Sequence, residues 1–262
     1  MNGLPRFIGM VHLPPLPGSP KSSLPLLTCE ESAIRDAVAL ADGGADGLII
    51  ENFGDAPFRP GRVDPHTVAS MTRIGLRIRA EVDLGIGVNV LRNDALSALG
   101  IAHAIGASFI RVNILSGAMA TDQGLITGEA DQLMRLRREL GATDIKVFAD
   151  VLVKHAAPLA PQSIKDAVED MIVRGLADAV IVSGSATGKA TRLSDLEQAR
   201  EAADGTPVYI GSGATAESIR SLMPPAYGVI AGTSLKTRGD VHASVDTARI
   251  RAFARAVAGA AV

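Results

Sequence analysis

Residues 207–236 read PVYIGSGATAESIRSLMPPAYGVIAGTSLK and hold two apolar runs that each stop in glycine plus a small hydroxyl residue. The first is PVYIGSGA (207–214) and the second GVIAGTSLK (228–236). Glycine lets a backbone approach an anion closely, and the N–H groups that open a following helix point toward it. Two such endings on neighbouring parallel strands form a phosphate clamp, the arrangement found after the seventh and eighth strands of a (β/α)₈ barrel.

Counting back from this pair yields eight β-rich runs: Phe7–Val11, Gly47–Ile50, Ile86–Val90, Phe109–Asn113, Lys146–Asp150, Ala179–Val182, Val208–Ile210 and Val229–Ala231. The segments between them carry helical spacing. Ile34, Ala37, Val38 and Ala41 share one face, as do Ile164, Ala167, Val168 and Met171. Thr28-x-x-Glu31 and Ser194-x-x-Glu197 have the form of capping boxes. Strands alternating with helices imply crossovers and a parallel sheet. The expected fold is therefore α/β, a (β/α)₈ TIM barrel with parallel strands, built as a single domain over residues 1–262. An open doubly wound sheet is the rival, but eight strands without a topological break favour closure.

Turns that feed strands are short and glycine-led: Gly44-Ala45, Gly106-Ala107, Gly141-Ala142 and Gly175-Leu176-Ala177. Segments leaving strands are long: His12–Leu27, Asn52–Pro65, Ile114–Gly128 and Val151–Gln162. One face is tightly closed and the other decorated, and in this fold the decorated C-terminal face carries the site. Five prolines, at 14, 15, 17, 20 and 25, stiffen the first long loop into a wall.

Composition narrows the function. The chain has 262 residues, 47% hydrophobic and 21% charged, with net charge -2. There is no basic surface and, without Trp and with only two Tyr and six Phe, no stacking platform for nucleic acid. The single cysteine, Cys29, fits a reducing compartment. The opening MNGLPRFIGM lacks a signal-peptide core and no apolar run approaches ~18 residues, so no transmembrane segment and a cytoplasmic location are expected. A homo-oligomer stays open. The stretch 244–257, with Ile250, Phe253 and Val257 opposite Arg251 and Arg255, suits a last barrel helix better than a membrane-surface helix.

The clamp predicts a phosphorylated small-molecule ligand. Its candidates are Gly211, Ser212, Gly213, Gly232, Thr233 and Ser234, with Thr215 as a helix cap and Lys236 as a nearby charge. A charge-assisted hydrogen bond contributes roughly 1.5–3 kcal/mol, so several amides can hold a phosphate together. The small-residue loop Ser183–Gly188, with Ser183 and Gly184 leading, is a third candidate for covering the ligand. It is no Walker loop, because Lys189 is followed by alanine.

Charged residues at the C-terminal ends of buried strands point into the mouth and need partners. His12, Glu51, Asn52, Asn89, Arg92, Asn93, Arg111, Asn113, Asp150, Lys154 and His155 qualify. Glu51 and Asp150 are the candidate acid–base pair, Arg111 an oxyanion or hydroxyl contact and Asn113 an orienter; an ion pair with Arg111 or Arg92 is the structural alternative. Lys154 is a candidate for imine chemistry if desolvated, although a loop lysine is more often a solvated charge. Lys146 starts its strand and belongs to the closed face. His12, Glu51, Asp150 and His155 are the candidate ligands for a divalent metal, without a diagnostic spacing, and no cofactor is required. His66, His103 and His242 read as ordinary helix or loop residues, and Phe53 and Phe58 as pocket walls or loop packing.

The segments IGMVHLPPLPGSP (8–20), ENFGDAPF (51–58), ADVLVKHA (149–156) and GTSLK (232–236) resemble the BtpA/SgcQ family nearly end to end. The resemblance implies a phosphate-binding TIM barrel of the ribulose-phosphate type and no particular reaction. It places one cyanobacterial branch in photosystem I biogenesis and bacterial members in carbohydrate metabolism. The expected function is an enzyme acting on a small phosphorylated sugar by proton transfer, as an isomerase or epimerase, or by aldol or N-glycoside cleavage. The alternative is a non-catalytic assembly factor on the same scaffold.

Overall fold

Strands Phe7–His12 (β1), Gly47–Glu51 (β2), Gly85–Asn89 (β3), Phe109–Val112 (β4), Lys146–Val151 (β7), Ala179–Val182 (β9), Val208–Ile210 (β10) and Gly228–Ala231 (β11) pair in parallel and close on themselves. Each matches an expected run to within a residue or two; Asn113 falls just past the end of its strand. The computed structural model describes residues 3–184 and 191–260. Eight helices alternate with these strands: α1 Leu26–Gly43, α2 Pro65–Glu81, α3 Ala95–Ile105, α4 Ala130–Glu139, α5 Ile164–Glu169, α6 Leu193–Ala202, α7 Ile219–Leu222 and α8 Thr247–Ala258. The expected (β/α)₈ barrel is thus observed.

Alternation along the strands divides the apolar residues into two layers. Ile8, Ile49, Phe109, Phe148, Ile181, Tyr209 and Ile230 face inward and fill the barrel. Leu40, Ile74, Leu99 and Phe253 belong to the outer layer between strands and helices. Three of the eight aromatic residues therefore fill the interior, with Phe109 stacked on Phe148 at 4.6 Å and Phe148 packed against Tyr209 at 4.9 Å. Cys29 is buried in the outer layer.

Gly44, Gly106 and Gly141 adopt positive φ values of 92°, 66° and 64°, which only glycine takes without strain. At the fourth turn that conformation falls on Leu176, φ 57°, while Gly175 has a negative φ and is required for space, since a Cβ there would lie 2.7 Å from the Met171 carbonyl oxygen.

Three expectations are corrected. Thr28 lies inside α1, whose N-cap is Pro25, and Ser194 lies inside α6, whose N-cap is Arg192, so neither capping box forms. The helices that do gain side-chain caps start at Asp94, Ser163 and Asp246. The long segments after β4 and β7 are not plain loops. They supply β5 (Ala118–Thr121), β6 (Gly124–Thr127) and β8 (Ala156–Pro158), an antiparallel sheet in the order β6-β5-β8. Ile114, Met119, Ile126 and Val153 form its small core beside the mouth.

Lys146 sits at the closed face and pairs with Asp178 at 3.6 Å. Among the described residues no helix is long and apolar enough to cross a membrane.

Candidate active site

Register brings four polar residues into one row. His12 aligns with Glu51, Glu51 with Asn89, and Asn89 with Arg111, across four adjacent strands. Residues in register on a parallel sheet share a face, and here that face is the barrel interior. His12, Glu51 and Arg111 line a cavity of about 530 Å³ together with Lys154, Phe53 and the loops 211–217 and 232–234.

Arg111 and Asp150 form the floor. Arg111 Nε donates to Asp150 Oδ2 at 3.1 Å and its Nη2 to Oδ1 at 2.9 Å. Asn113 Nδ2 donates to the same Oδ2 at 2.7 Å, and Asn89 Nδ2 donates to Asn113 Oδ1 at 3.1 Å. Asp150 is fully buried and does not line the cavity. The structure thus keeps Asp150 and Asn113 behind Arg111, in the ion pair that was the alternative to an acid–base role. Close opposite charges, Asp150 and then Glu51, outweigh burial and hold the guanidinium above its ordinary value.

Glu51 has a different environment. His12 Nε2 lies 3.7 Å from its Oε1, too far for a strong hydrogen bond. Burial pushes the Glu51 carboxyl up, with Arg111 and Lys154 opposing. His12 is pulled down to about 3 by burial and then by the charges of Lys236, Lys154 and Arg111, so its imidazole is neutral at pH 7. Phe53 stacks on that imidazole with centroids 4.5 Å apart, and its other neighbour is the ring of His242 at 6.2 Å. His242 is thus part of the mouth, which sequence reasoning missed. Burial and the neighbouring Arg111 push Lys154 down.

The first two signature segments pack on each other. Asp55 accepts from Leu16 N at 2.8 Å, and Gly54 N donates to Leu13 O at 3.0 Å. A Cβ on Gly54 would lie 2.3 Å from Pro15 N. Asn52 accepts from Leu91 N at 2.7 Å, and Asn93 Oδ1 accepts from Ile114 N at 2.8 Å. Asn52 and Asn93 are therefore loop braces, and Arg92 holds the Lys154 carbonyl at 2.9 Å.

On the opposite wall, Gly211, Ser212, Gly213, Gly232, Thr233 and Ser234 all border the cavity, but they differ in use. The Gly211 amide is spent on Val182 O, and a Cβ there would lie 2.3 Å from Ser183 Oγ. Ser212 Oγ accepts from Gly184 N at 3.0 Å. Thr233 and Ser234 open a single 3₁₀ turn, where N–H groups lack intrahelical acceptors. Ser183 and Gly184 border a separate cavity of about 320 Å³ instead, and residues 185–190 of that loop lie outside the described residues.

Three further expectations change. Lys236 points away from the clamp and is buried against Asp36 on α1 at 2.9 Å. Thr215 and Ser218 cap each other, and α7 spans only Ile219–Leu222, so little helix dipole reaches the cavity. His12, Glu51, Asp150 and His155 do not gather, since among the described residues no three His, Cys, Asp or Glu side chains form a metal-binding group. One cation was missed: Arg249, in the first turn of α8, borders the clamp and donates to Ser234 O at 3.3 Å.

An eight-stranded parallel barrel with its polar row and small-residue loops at the C-terminal mouth defines a TIM barrel. The BtpA family model matches residues 5–259, and the chain belongs to that family. The photosystem I biogenesis protein BtpA of Synechocystis is 53% identical over 251 residues, covering 96% of this chain and 87% of that one. An uncharacterised protein of Methanocaldococcus jannaschii is 45% identical over 94% of this chain and 92% of its own. Among solved structures, the N-(5'-phosphoribosyl)anthranilate isomerase of Pyrococcus furiosus superposes with a TM-score of 0.58 at 12% identity, over 97% of this chain and 99% of that one. The N-acetylmannosamine-6-phosphate 2-epimerase of Clostridium perfringens gives 0.54 at 15%, over 87% and 86%. At such identities these two share the fold alone.

Proposed function

We propose that the protein is an enzyme acting on a small phosphorylated sugar or sugar-like metabolite by acid–base proton transfer. One observation carries this: a single cavity has amide-rich loops and Arg249 on one wall and the row His12, Glu51, Arg111 on the other. The phosphate sits against Gly213, Thr233 and Ser234, with Arg249 beside it. The sugar carbons then reach across to Glu51. A carboxyl with raised affinity for its proton is suited to giving that proton as well as taking one. Arg111, fixed by Asp150 and Asn113, faces a carbonyl or hydroxyl oxygen and stabilises charge developing there. Neutral His12, held by Phe53, is a second proton-transfer group. Phosphorylated sugars in the names of two solved barrels of this fold agree with that ligand class. A cytoplasmic location goes with it.

The name of the Synechocystis relative favours a second possibility, a non-catalytic role in assembling a membrane complex. A thermal-shift screen over phosphorylated sugars, with and without divalent metals, separates the two. Stabilisation by a sugar phosphate that is lost in Arg249→Gln, with turnover lost in Glu51→Gln, supports the enzyme. No stabilisation by any sugar phosphate, with normal complex assembly by Glu51→Gln, overturns it.

A further inference from the structure

Two lysines near the mouth end of the barrel, Lys236 and Lys154, are treated oppositely. Lys236 is neutralised by Asp36 at 2.9 Å. Lys154 borders the main cavity, and its ammonium makes no hydrogen bond or ion pair with a described residue. It lies instead within the field of Arg111, a charge of its own sign, as well as those of Glu51 and Asp150. An unpaired, partly desolvated amine beside a guanidinium loses its proton readily and becomes a nucleophile.

The backbone around Lys154 is set for this position. Leu152 and His155 flank it with φ values of 46° and 58°, a left-handed conformation that non-glycine residues rarely adopt. Strain of that kind persists where the surrounding structure fixes it. Here Arg92 fixes it by donating to the Lys154 carbonyl at 2.9 Å.

We propose that Lys154 forms an imine with the carbonyl carbon of the phosphorylated substrate; the phosphate half of that statement rests on the function proposed above. The Nζ lone pair attacks the carbonyl carbon, whose oxygen takes a proton from the Glu51 carboxyl; the nitrogen then returns one of its own protons to the Glu51 carboxylate, giving a neutral carbinolamine. Glu51 protonates the carbinolamine oxygen in turn, and water leaves as the nitrogen lone pair forms the C–N double bond, with Glu51 left as the carboxylate. The positive iminium then draws electrons from the adjacent carbon. Its C–H proton passes to the Glu51 carboxylate, leaving an enamine, and returns to another face or atom. Hydrolysis by water regenerates the amine. The cycle consumes no oxidant or reductant, and burial together with the charge of Arg111 lowers the affinity of the resting amine for its proton.

Borohydride trapping tests this directly, and the chain's six lysines, at 21, 146, 154, 165, 189 and 236, make the map easy to read. The full chain is treated at pH 7 with sodium borohydride and dihydroxyacetone phosphate, and in parallel with glycolaldehyde, which carries no phosphate. The expected product is a peptide containing Lys154 that gains the mass of the probe less one oxygen, at least tenfold above any other lysine. Lys154→Arg should lose the label while inorganic phosphate still raises its melting temperature, which shows that it is folded. Selective labelling by glycolaldehyde but not by dihydroxyacetone phosphate would leave the imine standing and overturn the phosphate seat. Labelling spread evenly over exposed lysines with both probes, or none at Lys154, would overturn the imine.

Discussion

Arg111 and Asp150 clasp each other through two parallel hydrogen bonds of 2.9 and 3.1 Å directly above the stacked rings of Phe109 and Phe148. Each charged residue stands two positions along its strand from the ring below it, so one pair of neighbouring strands supplies both layers. Removing one partner of a buried pair leaves an uncompensated charge, at a cost of ~3–5 kcal/mol. Asp150→Asn should lose about that much stability in urea unfolding. Arg111→Met combined with Asp150→Leu should lose clearly less than the two single variants summed. Additive losses would mean that the pair is not coupled.

The pH dependence of stability should show two opposite slopes. Glu51 binds its proton more tightly folded than unfolded, so its contribution is full below the unfolded value of 4.5 and is lost as pH rises through the raised folded value. Glu51→Gln should therefore raise the melting temperature at pH 8, and the gain should shrink toward pH 4. His12 runs the other way. Its stability contribution is full above 6.5 and falls as pH drops toward about 3, because the unfolded chain takes up the proton first. His12→Asn should lose less stability than the parent between those limits. A parallel pair of curves would show that His12 titrates normally.

Arg249 is the one charged side chain that donates to the clamp among the described residues. A charge-assisted hydrogen bond is worth roughly 1.5–3 kcal/mol, which is about 10- to 150-fold in affinity. Arg249→Gln should weaken binding of inorganic phosphate by that factor in calorimetry. Its exposed position on α8 predicts little change in melting temperature without ligand. Unchanged phosphate affinity would place the anion elsewhere.

The barrel was legible because each strand is an apolar run ending at glycine or a polar residue, a local signal repeated eight times. The row at the mouth was legible for the same reason: buried strands leave charges only at their ends. What escaped is what depends on distant contacts. Lys236 looked like a phosphate ligand until Asp36, 200 residues away, claimed it. Arg249 was hidden because the segment after Lys236 folds back through a bridge to Val245, which returns the start of α8 to the cavity. Ala118–Thr121 and Gly124–Thr127 are too short and too poor in large apolar residues to announce a sheet, which exists only because β8 arrives from another loop. The Thr28 and Ser194 patterns fail because each residue lies within the first turn of a helix already begun at Leu26 or Leu193.

Gly87 links barrel packing to the site most sharply. It faces inward opposite Phe109, and a Cβ there would lie 2.3 Å from that ring. The ring has no free direction, since Phe148 lies against it at 4.6 Å, and the Arg111–Asp150 pair rests on the layer above. Overpacking of this kind costs ~1–3 kcal/mol. Gly87→Ala should lose that much in urea unfolding and should also disturb Arg111, seen as weaker sugar-phosphate binding with inorganic phosphate binding intact. Phe109→Leu frees the space that the methyl needs. In the Gly87→Ala/Phe109→Leu double variant the total loss should fall below the sum of the single losses by at least ~0.5 kcal/mol, the coupling expected of residues in contact. Strict additivity would mean that the strand shifts to accept the methyl and that Phe109 does not set the height of Arg111.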